Sequence, residues 1–210
     1  MRTPKPRRRA YRQGARAEAA EATGERILDA FLARISSQWV EQVTLDAVAR
    51  DAEVTVQTVV RRFGGKDGLL LAARDRMQRE VRSRRQVEPG DVVGAVDVLQ
   101  NDYEASGDLV MRMLAQEERY PALKPLLDSG RAGHRTWVGE VFAPSLAGLS
   151  GRAQIARLDT LVVATDVYVW KLLRRDMARP PGAYKVIVAE MIRAEIQGGG
   201  ENFDPKENTL

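Results

Sequence analysis

Residues 43–70 read VTLDAVARDAEVTVQTVVRRFGGKDGLL, and no other stretch of the chain restricts the local structure as strongly. Thr44 and Thr55 each stand directly before a short run with helical periodicity, where a threonine caps a helix N-terminus. Gly64 follows the second run and is suited to ending it. Two short helices over 44–51 and 55–62, joined by a tight turn, predict a helix-turn-helix.

The flanking residues complete an N-terminal domain. Apolar side chains recur at three- and four-residue steps over 27–39, which predicts one helix with Thr23 as its N-cap. Lys66 and Asp67 open a fourth helix that keeps the same period until residues 82–85. We therefore predict a helix-turn-helix DNA-binding domain with a connecting fourth helix over 23–85.

Composition excludes several kinds of chemistry. The chain has 210 residues, with 33 Lys and Arg against 29 Asp and Glu, one histidine and no cysteine. Disulfides, thiolate nucleophiles, iron–sulfur clusters and cysteine or histidine-rich metal sites are therefore excluded, and no cofactor is predicted. The lack of disulfides and of a signal-peptide pattern favours the cytoplasm, and no apolar run is long enough to span a membrane.

Basic residues are concentrated at the N-terminus, since residues 1–17 hold seven of them and no acidic residue. A segment with so few large apolar side chains cannot offset its ordering entropy, so residues 1–22 are predicted to be a disordered basic arm. Such arms bind nucleic acid, and Arg7, Arg8 and Arg9 are candidates to enter a minor groove. The alternative is a solubilising tail. The polar C-terminal residues 198–210 are likewise predicted to be disordered.

The second helix of the helix-turn-helix has an outer face suited to DNA. Val54 and Val59 can pack inward together with Leu45, Val48 and Ala49 of the preceding helix. In a major groove, glutamine pairs with adenine, arginine pairs with guanine and an apolar side chain meets a thymine methyl. The candidates for DNA contact are Thr55, Val56, Gln57, Thr58, Val60, Arg61 and Arg62.

Residues 23–70 resemble the DNA-binding domain of TetR-type (tetracycline-repressor-like) regulators. The junction Phe63-Gly64-Gly65-Lys66-Asp67 followed by Leu69-Leu70 is similar to that family's aromatic-x-x-Lys-acidic-x-Leu-Leu signature. The rest of the chain resembles the family only in its helical architecture and length.

The resemblance implies roles for particular residues. It implies that Thr55, Gln57, Thr58 and Arg61 face DNA, that Val60 replaces a groove-facing tyrosine, and that Lys66 holds a phosphate, which a helix N-terminus also favours. Thr44 is expected to contact another phosphate, the alternative being that both threonines are only N-caps. Glu53 stands where the family usually has a turn glycine, so standard turn geometry cannot be assumed. The pair Val60 and Arg62 replaces common ring residues, so the preferred bases cannot be transferred.

The remaining chain, residues 86–197, is predicted to be an all-helical effector-binding and dimerisation domain, with helices over 91–106, 108–119, 121–142, 152–177 and 182–197. Residues 161–173 are nearly apolar on all sides, which indicates burial within the subunit and against a second one. The resemblance implies the same, because the last two long helices of these regulators usually pair in a homodimer. The interface candidates are Leu158, Leu161, Val162, Val169, Leu172, Tyr184, Ile187, Val188, Met191 and Ile192.

A small-molecule pocket is a further expectation for this region. Asp166, Trp170 and Arg174 follow at one-turn spacing and could form its polar wall, the alternative being an acid–arginine pair inside packed structure. Further pocket candidates, which could equally be core residues, are Tyr103, Met111, Leu114, His134, Trp137 and Val141.

These features together favour a homodimeric DNA-binding transcriptional regulator, a repressor released from a palindromic operator by an effector. An enzyme is not predicted, since a phosphate-binding loop would need Gly at Val60 and Ser or Thr at Asp67, and no catalytic constellation occurs. The alternatives are a helical ligand carrier or interaction protein without sequence-specific DNA binding, and a regulator without a small-molecule effector.

Overall fold

The computed structural model describes residues 7–198 and, within them, the side chains of residues 18–198. All regular structure in this range is helical, as the sequence predicts. The α-helices are α1 (Arg7–Ser37), α2 (Leu45–Asp51), α3 (Val56–Phe63), α4 (Lys66–Arg84), α5 (Val92–Leu114), α6 (Lys124–Val141), α7 (Ala143–Leu146), α8 (Gly151–Ala164), α9 (Val167–Lys171) and α10 (Pro181–Gly198). Short 3-10 turns lie at Val40–Gln42 and Pro121–Leu123, and a π-helical turn lies at Leu172–Asp176.

The chain forms two compact units, Met1–Asp75 and Arg76–Leu210. The first has a small apolar core because α1, α2, α3 and the start of α4 each contribute one buried face. The predicted periodicity of α1 is confirmed, since its apolar stripe is buried. The fully buried side chains of this core include Ile27, Phe31, Ile35, Val40, Val48, Val59 and Leu69.

Helix α1 begins sixteen residues before its predicted start at Thr23, because residues 7–22, predicted to be disordered, are helical. Residues 15–22 are mostly alanine, arginine and glutamate, which are strong helix formers, and extending an existing helix needs no new nucleus. Thr23 is therefore not an N-cap, and its hydroxyl donates to the carbonyl oxygen of Ala19 at 2.8 Å. Residues 1–6 and 199–210 lie outside the described residues, whereas Gly198 belongs to α10.

The helix-turn-helix forms as predicted. Thr44 and Thr55 are both N-caps, and each side-chain oxygen accepts a backbone N–H three residues later at 3.2 Å. Gly64 ends α3 with a φ of 76°, the left-handed region that glycine tolerates. Glu53 adopts φ 55°, so the turn keeps a left-handed residue although no glycine stands there.

Two helix boundaries predicted for the second unit are wrong. Gly107 does not break a helix, because α5 continues through it to Leu114 and Gly107 provides space for the Trp170 ring. The predicted helix over 152–177 is interrupted at Asp166, whose carboxylate accepts the N–H of Tyr168 at 2.9 Å and caps α9. An aspartate that binds the backbone in this way favours a new helix start over continuation.

Helix α5 lies at the centre of the second unit and contacts α6, α9 and α10. Its buried face belongs to one apolar core, whose largest fully buried side chains are Trp170 of α9, Tyr184 of α10 and Phe142, which follows α6. None of the helices in the described range is long and apolar enough to cross a membrane.

Candidate nucleic-acid interface

Helix α3 separates an inward face from an outward face as predicted. Val59 is completely buried, whereas Gln57 and Arg61 are exposed and Val60 is 43% exposed. The caps at both ends hold this short helix in place. The outward face therefore presents an amide, a guanidinium and an apolar side chain, which are three of the groups that read base edges in a major groove.

The threonines at the start of α3 are engaged with each other. The oxygen of Thr55 accepts the backbone N–H of Thr58, and the two hydroxyls lie 3.0 Å apart. Thr55 is exposed, while Thr58 and Val56 are partly buried. Thr44 is exposed and is the N-cap of α2, because its side-chain oxygen accepts the N–H of Ala47. Capping alone accounts for both N-cap threonines, so their contact with DNA stays a prediction.

A positively charged groove of about 620 Å³ lies between α1 and α3. Arg26, Arg61 and Arg62 line it, and none of its described lining residues is acidic. Arg62 lies across Gly24 of α1, where a Cβ atom would come within 2.6 Å of its guanidinium carbon. Sequence reasoning missed Arg26, which the helical periodicity alone places only on the polar side of α1. Together these arginines form a surface suited to phosphate.

Lys66 contacts two backbone carbonyl oxygens of the first unit. Its ammonium donates to the carbonyl oxygens of Val40 at 2.9 Å and Glu41 at 3.2 Å. Partial burial lowers the pKa of Lys66, while the charges of Asp67 and Glu41 act in the opposite direction. Backbone carbonyls of the 3-10 turn attract a cation, so Lys66 joins this turn to the start of α4, and its contact with a phosphate stays a prediction. Arg7, Arg8 and Arg9 lie outside the residues with described side chains.

Three of the predicted pocket residues converge on Arg85, which sequence reasoning missed because it ends an arginine-rich stretch. The Arg85 guanidinium lies 4.8 Å from the Tyr103 ring centre and 5.6 Å from that of Trp137. Its Nη1 lies 3.1 Å from Nδ1 of His134. Burial, followed by the charge of Arg85, lowers the pKa of His134 to about 3. The imidazole is therefore neutral at ordinary pH.

The other pocket candidates belong to packed structure. Val141 and Trp170 are buried in the core, and Met111 and Leu114 pack against it. Asp166 caps α9 instead of facing a cavity with Trp170. The acid beside Trp170 is Glu104, which accepts from the indole N–H at 3.1 Å and from Arg174 at 2.5 Å. The alternative pairing of Asp166 with Arg174 does not form, because helix α9 begins at the Asp166 cap.

The dimer candidates divide between buried and exposed positions. Leu161, Tyr184, Val188 and Ile192 are completely buried within the subunit, so they cannot form an interface without unfolding it. Leu158, Val162, Val169 and Ile187 are partly buried against the same core, whereas Leu172 and Met191 are 50% and 41% exposed. Sequence reasoning identified the apolar stripes but not which stripe faces outward.

Sequence reasoning also missed exposed apolar side chains of this unit, among them Ile155 and Val163 on α8, exposed by 57% and 63%, and Val186 on α10, exposed by 56%. Val163 also lines a shallow groove of about 480 Å³ between α8 and α10. The other lining residues are Thr160, Ala164, Met191, Ala194, Glu195 and Gly198.

Comparison with known proteins agrees with this arrangement. Residues 27–73 match the model of bacterial regulatory proteins of the tetR family. No curated protein matches the chain with significance.

Solved structures share the fold at low sequence identity. A transcriptional regulator from Rhodococcus sp. Rha1 is 19% identical over 85% of this chain and 98% of its own, with a TM-score of 0.65. A tetR-family transcriptional regulator from Streptomyces coelicolor is 14% identical over 83% and 80%, with a TM-score of 0.67. The fatty acid degradation regulator FadR from Bacillus halodurans is 18% identical over 84% and 95%, with a TM-score of 0.56.

The family match covers α2, α3 and the start of α4, which are the elements that build the outward face of α3. Residues 27–73 are therefore similar to the tetR family of bacterial regulatory proteins, and the chain shares its fold with solved transcriptional regulators.

Proposed function

We propose that the protein is a sequence-specific DNA-binding transcriptional regulator that acts as a homodimer on a palindromic operator. The observation that carries this proposal is the outward face of α3, where Gln57, Val60 and Arg61 are exposed while Val59 anchors the helix in the core. A helix of this kind enters a major groove with its N-terminal residues on the base edges.

Each exposed side chain of α3 has a distinct role in this proposal. Gln57 reads an adenine, Arg61 reads a guanine, and Val60 contacts a thymine methyl. Arg26 and Arg62, which line the groove beside α3, bind backbone phosphates and position the helix without reading sequence.

The exposed apolar side chains of α8 and α10 support dimerisation. Val163 and Met191 border a groove that also contains the small residues Ala194 and Gly198, which allow a second helix pair to approach closely. A dimer places two recognition helices about one DNA turn apart, as a palindrome requires.

A repressor role with release by a small-molecule effector completes the proposal. The effector would bind in the second unit, and α4 would transmit the change because the boundary after Asp75 falls within this one helix. The ligand can act only through different affinities for the two conformations of the regulator.

Selection of bound sites from a random DNA pool at two salt concentrations tests the proposal. We expect the full-length protein to enrich a palindrome that is retained at the higher salt. Gln57→Ala should relax base preference at one position of each half-site by about 1–3 kcal/mol. Gln86→Ala, which removes an exposed amide outside α3, is the matched control and should leave the selected sequence unchanged. Enrichment of no sequence, with binding that disappears at higher salt, would refute the proposal.

A further inference from the structure

Arg85 is a charged side chain in the interior of the second unit. Only 7% of it is exposed, and Asp102, which is completely buried, accepts from its Nε at 2.7 Å and its Nη2 at 2.6 Å. Arg84 donates to the other oxygen of the same carboxylate at 2.6 Å, but its side chain is 36% exposed. Asp102 therefore binds two consecutive arginines in very different surroundings.

The walls around Arg85 form a site of the kind that recognises organic cations. Tyr103 and Trp137 present their rings to the guanidinium, and both rings are held by hydrogen bonds of their own. The Tyr103 hydroxyl donates to the carbonyl oxygen of Thr165 at 3.0 Å, and the Trp137 indole donates to that of Arg85 at 2.9 Å. A buried carboxylate combined with fixed aromatic faces favours a cation over a neutral group. We call Asp102, Tyr103 and Trp137 the cation cage.

Two further polar atoms indicate that the interior near the cage can satisfy a ligand. The hydroxyl of Tyr184 and Oε1 of Gln100 are buried and have no hydrogen-bond partner among the described residues. Tyr184 belongs to the same buried core cluster as Tyr103, and Gln100 precedes Tyr103 by three residues on α5. Burial raises the pKa of Tyr184. A buried polar atom without a partner gains from any ligand that supplies one.

We propose that the cation cage is the effector site and that its ligand is a small organic cation, a guanidinium, amidinium or alkylammonium group on an apolar body, which competes with the Arg85 side chain. Arg85 thus acts as a tethered internal ligand. The apparent affinity for the free cation is therefore the intrinsic affinity multiplied by the fraction of time that Arg85 leaves the cage empty.

Displacement of Arg85 has a structural consequence. Arg85 follows directly after Arg84, the last residue of α4, so the cage fixes the C-terminal end of this helix. A cation that takes the place of Arg85 removes that anchor. This regulatory consequence rests on the proposed function, whereas binding of the cation does not.

Chemical rescue tests the cage directly in the full-length protein. Arg85→Ala removes the atoms that ethylguanidinium would restore, and ethylurea is the matched neutral compound. We expect ethylguanidinium to raise the thermal midpoint of Arg85→Ala saturably, by about 2–4 °C at roughly five times its Kd, and ethylurea to have no such effect. Arg84→Ala, which removes a partner of the same carboxylate at an exposed position, should show no rescue. A folded Arg85→Ala that responds to neither compound, or equal rescue of Arg84→Ala, would overturn the proposal.

Titration of the unmodified protein with benzamidinium, followed by tryptophan fluorescence, provides a second test that does not require Arg85→Ala to fold. Benzamidinium should change the tryptophan fluorescence saturably, benzamide should not, and Trp137→Phe should remove the response. Where Arg85→Ala folds, its affinity for benzamidinium should be at least tenfold higher than that of the unmodified protein. Absence of binding, or binding that Trp137→Phe leaves unchanged, would refute the cage as the site. These measurements contain no DNA, so their failure is distinct from failure of the proposed function.

Discussion

Replacing Gly107 by alanine is the substitution whose effect the structure defines most sharply. Gly107 lies inside α5, and a Cβ atom there would lie 2.6 Å from Cη2 and 2.8 Å from Cε3 of Trp170, and closer still to Cζ3. Carbon atoms at their optimal separation are about 3.5–4.0 Å apart. The methyl group would therefore overlap the indole ring by about 1 Å.

Trp170 cannot easily move away from this methyl group. Its indole N–H donates to Glu104 at 3.1 Å, and the guanidinium of Arg175 lies 4.4 Å from its ring centre. Asp108 in turn holds Arg175 through two hydrogen bonds of 2.9 Å. Overpacking of such a core costs about 1–3 kcal/mol, and the rigid surroundings favour the upper end.

This cost is partly offset, because alanine is a better helix former than glycine by about 1 kcal/mol. Gly107→Ala should therefore lower the free energy of unfolding by about 2 kcal/mol. Gly130→Ala is the matched control, because Gly130 lies inside α6 and a Cβ atom added there would meet no described atom within 4 Å apart from its neighbours in the chain and the backbone of its own helix. It should raise the free energy of unfolding by up to about 1 kcal/mol.

Urea unfolding followed by circular dichroism at 222 nm measures both effects. In a Trp170→Phe background, the smaller ring should reduce the cost of Gly107→Ala, which a double-mutant cycle detects. A Gly107→Ala protein as stable as the unmodified chain, or a cost that is the same with phenylalanine at position 170, would show that the overlap does not determine stability here.

Three further predictions follow from the described contacts. Lys66→Met should lower the free energy of unfolding by about 1–2 kcal/mol, because the bonds to Val40 and Glu41 are lost. It should leave the salt dependence of DNA binding unchanged. A decrease of about one unit in the slope of log K against log salt would instead show that Lys66 contacts a phosphate. Because the pKa of His134 is about 3 in the folded chain and about 6.5 when unfolded, the unfolded state binds more protons between these values, so stability should fall as the pH is lowered from 6.5 to 5. His134→Gln should flatten this part of the pH profile in urea unfolding. Val163→Asp should shift the protein towards monomer in sedimentation velocity and weaken operator binding, whereas Val93→Asp at a similarly exposed position should do neither.

Local patterns predicted α2, the turn and α3 because each signal acts within a few residues. A threonine cap needs only the backbone N–H three residues later, and Gly64 needs only its own backbone conformation. The outward face of α3 follows from the helical period once Val59 is assigned to the core. Glu53 could not be assessed in this way, since residues other than glycine rarely adopt the positive φ that it has where the N–H of Val54 donates to the carbonyl oxygen of Ala49 at 2.9 Å.

The second unit was less predictable because its interactions join residues far apart in the chain. Asp166 could equally continue a helix or cap one, and the apolar residues of α8 and α10 could equally face the core or a partner. Glu104, the partner of Trp170, stands 66 positions before it. Periodicity therefore identified the helices of this unit but not the pairing of their polar groups.

The sequence alone determined an all-helical chain with a capped helix-turn-helix, since these features depend on propensity, capping and helical period. Only the tertiary structure decided that Lys66 turns to the backbone of Val40 and Glu41, that α8 and not only α10 exposes apolar side chains, and that Arg85 is enclosed by Asp102 and two aromatic rings. A buried charge depends on partners brought together by folding, because the desolvation cost of the charge is offset only where a carboxylate and fixed rings meet it.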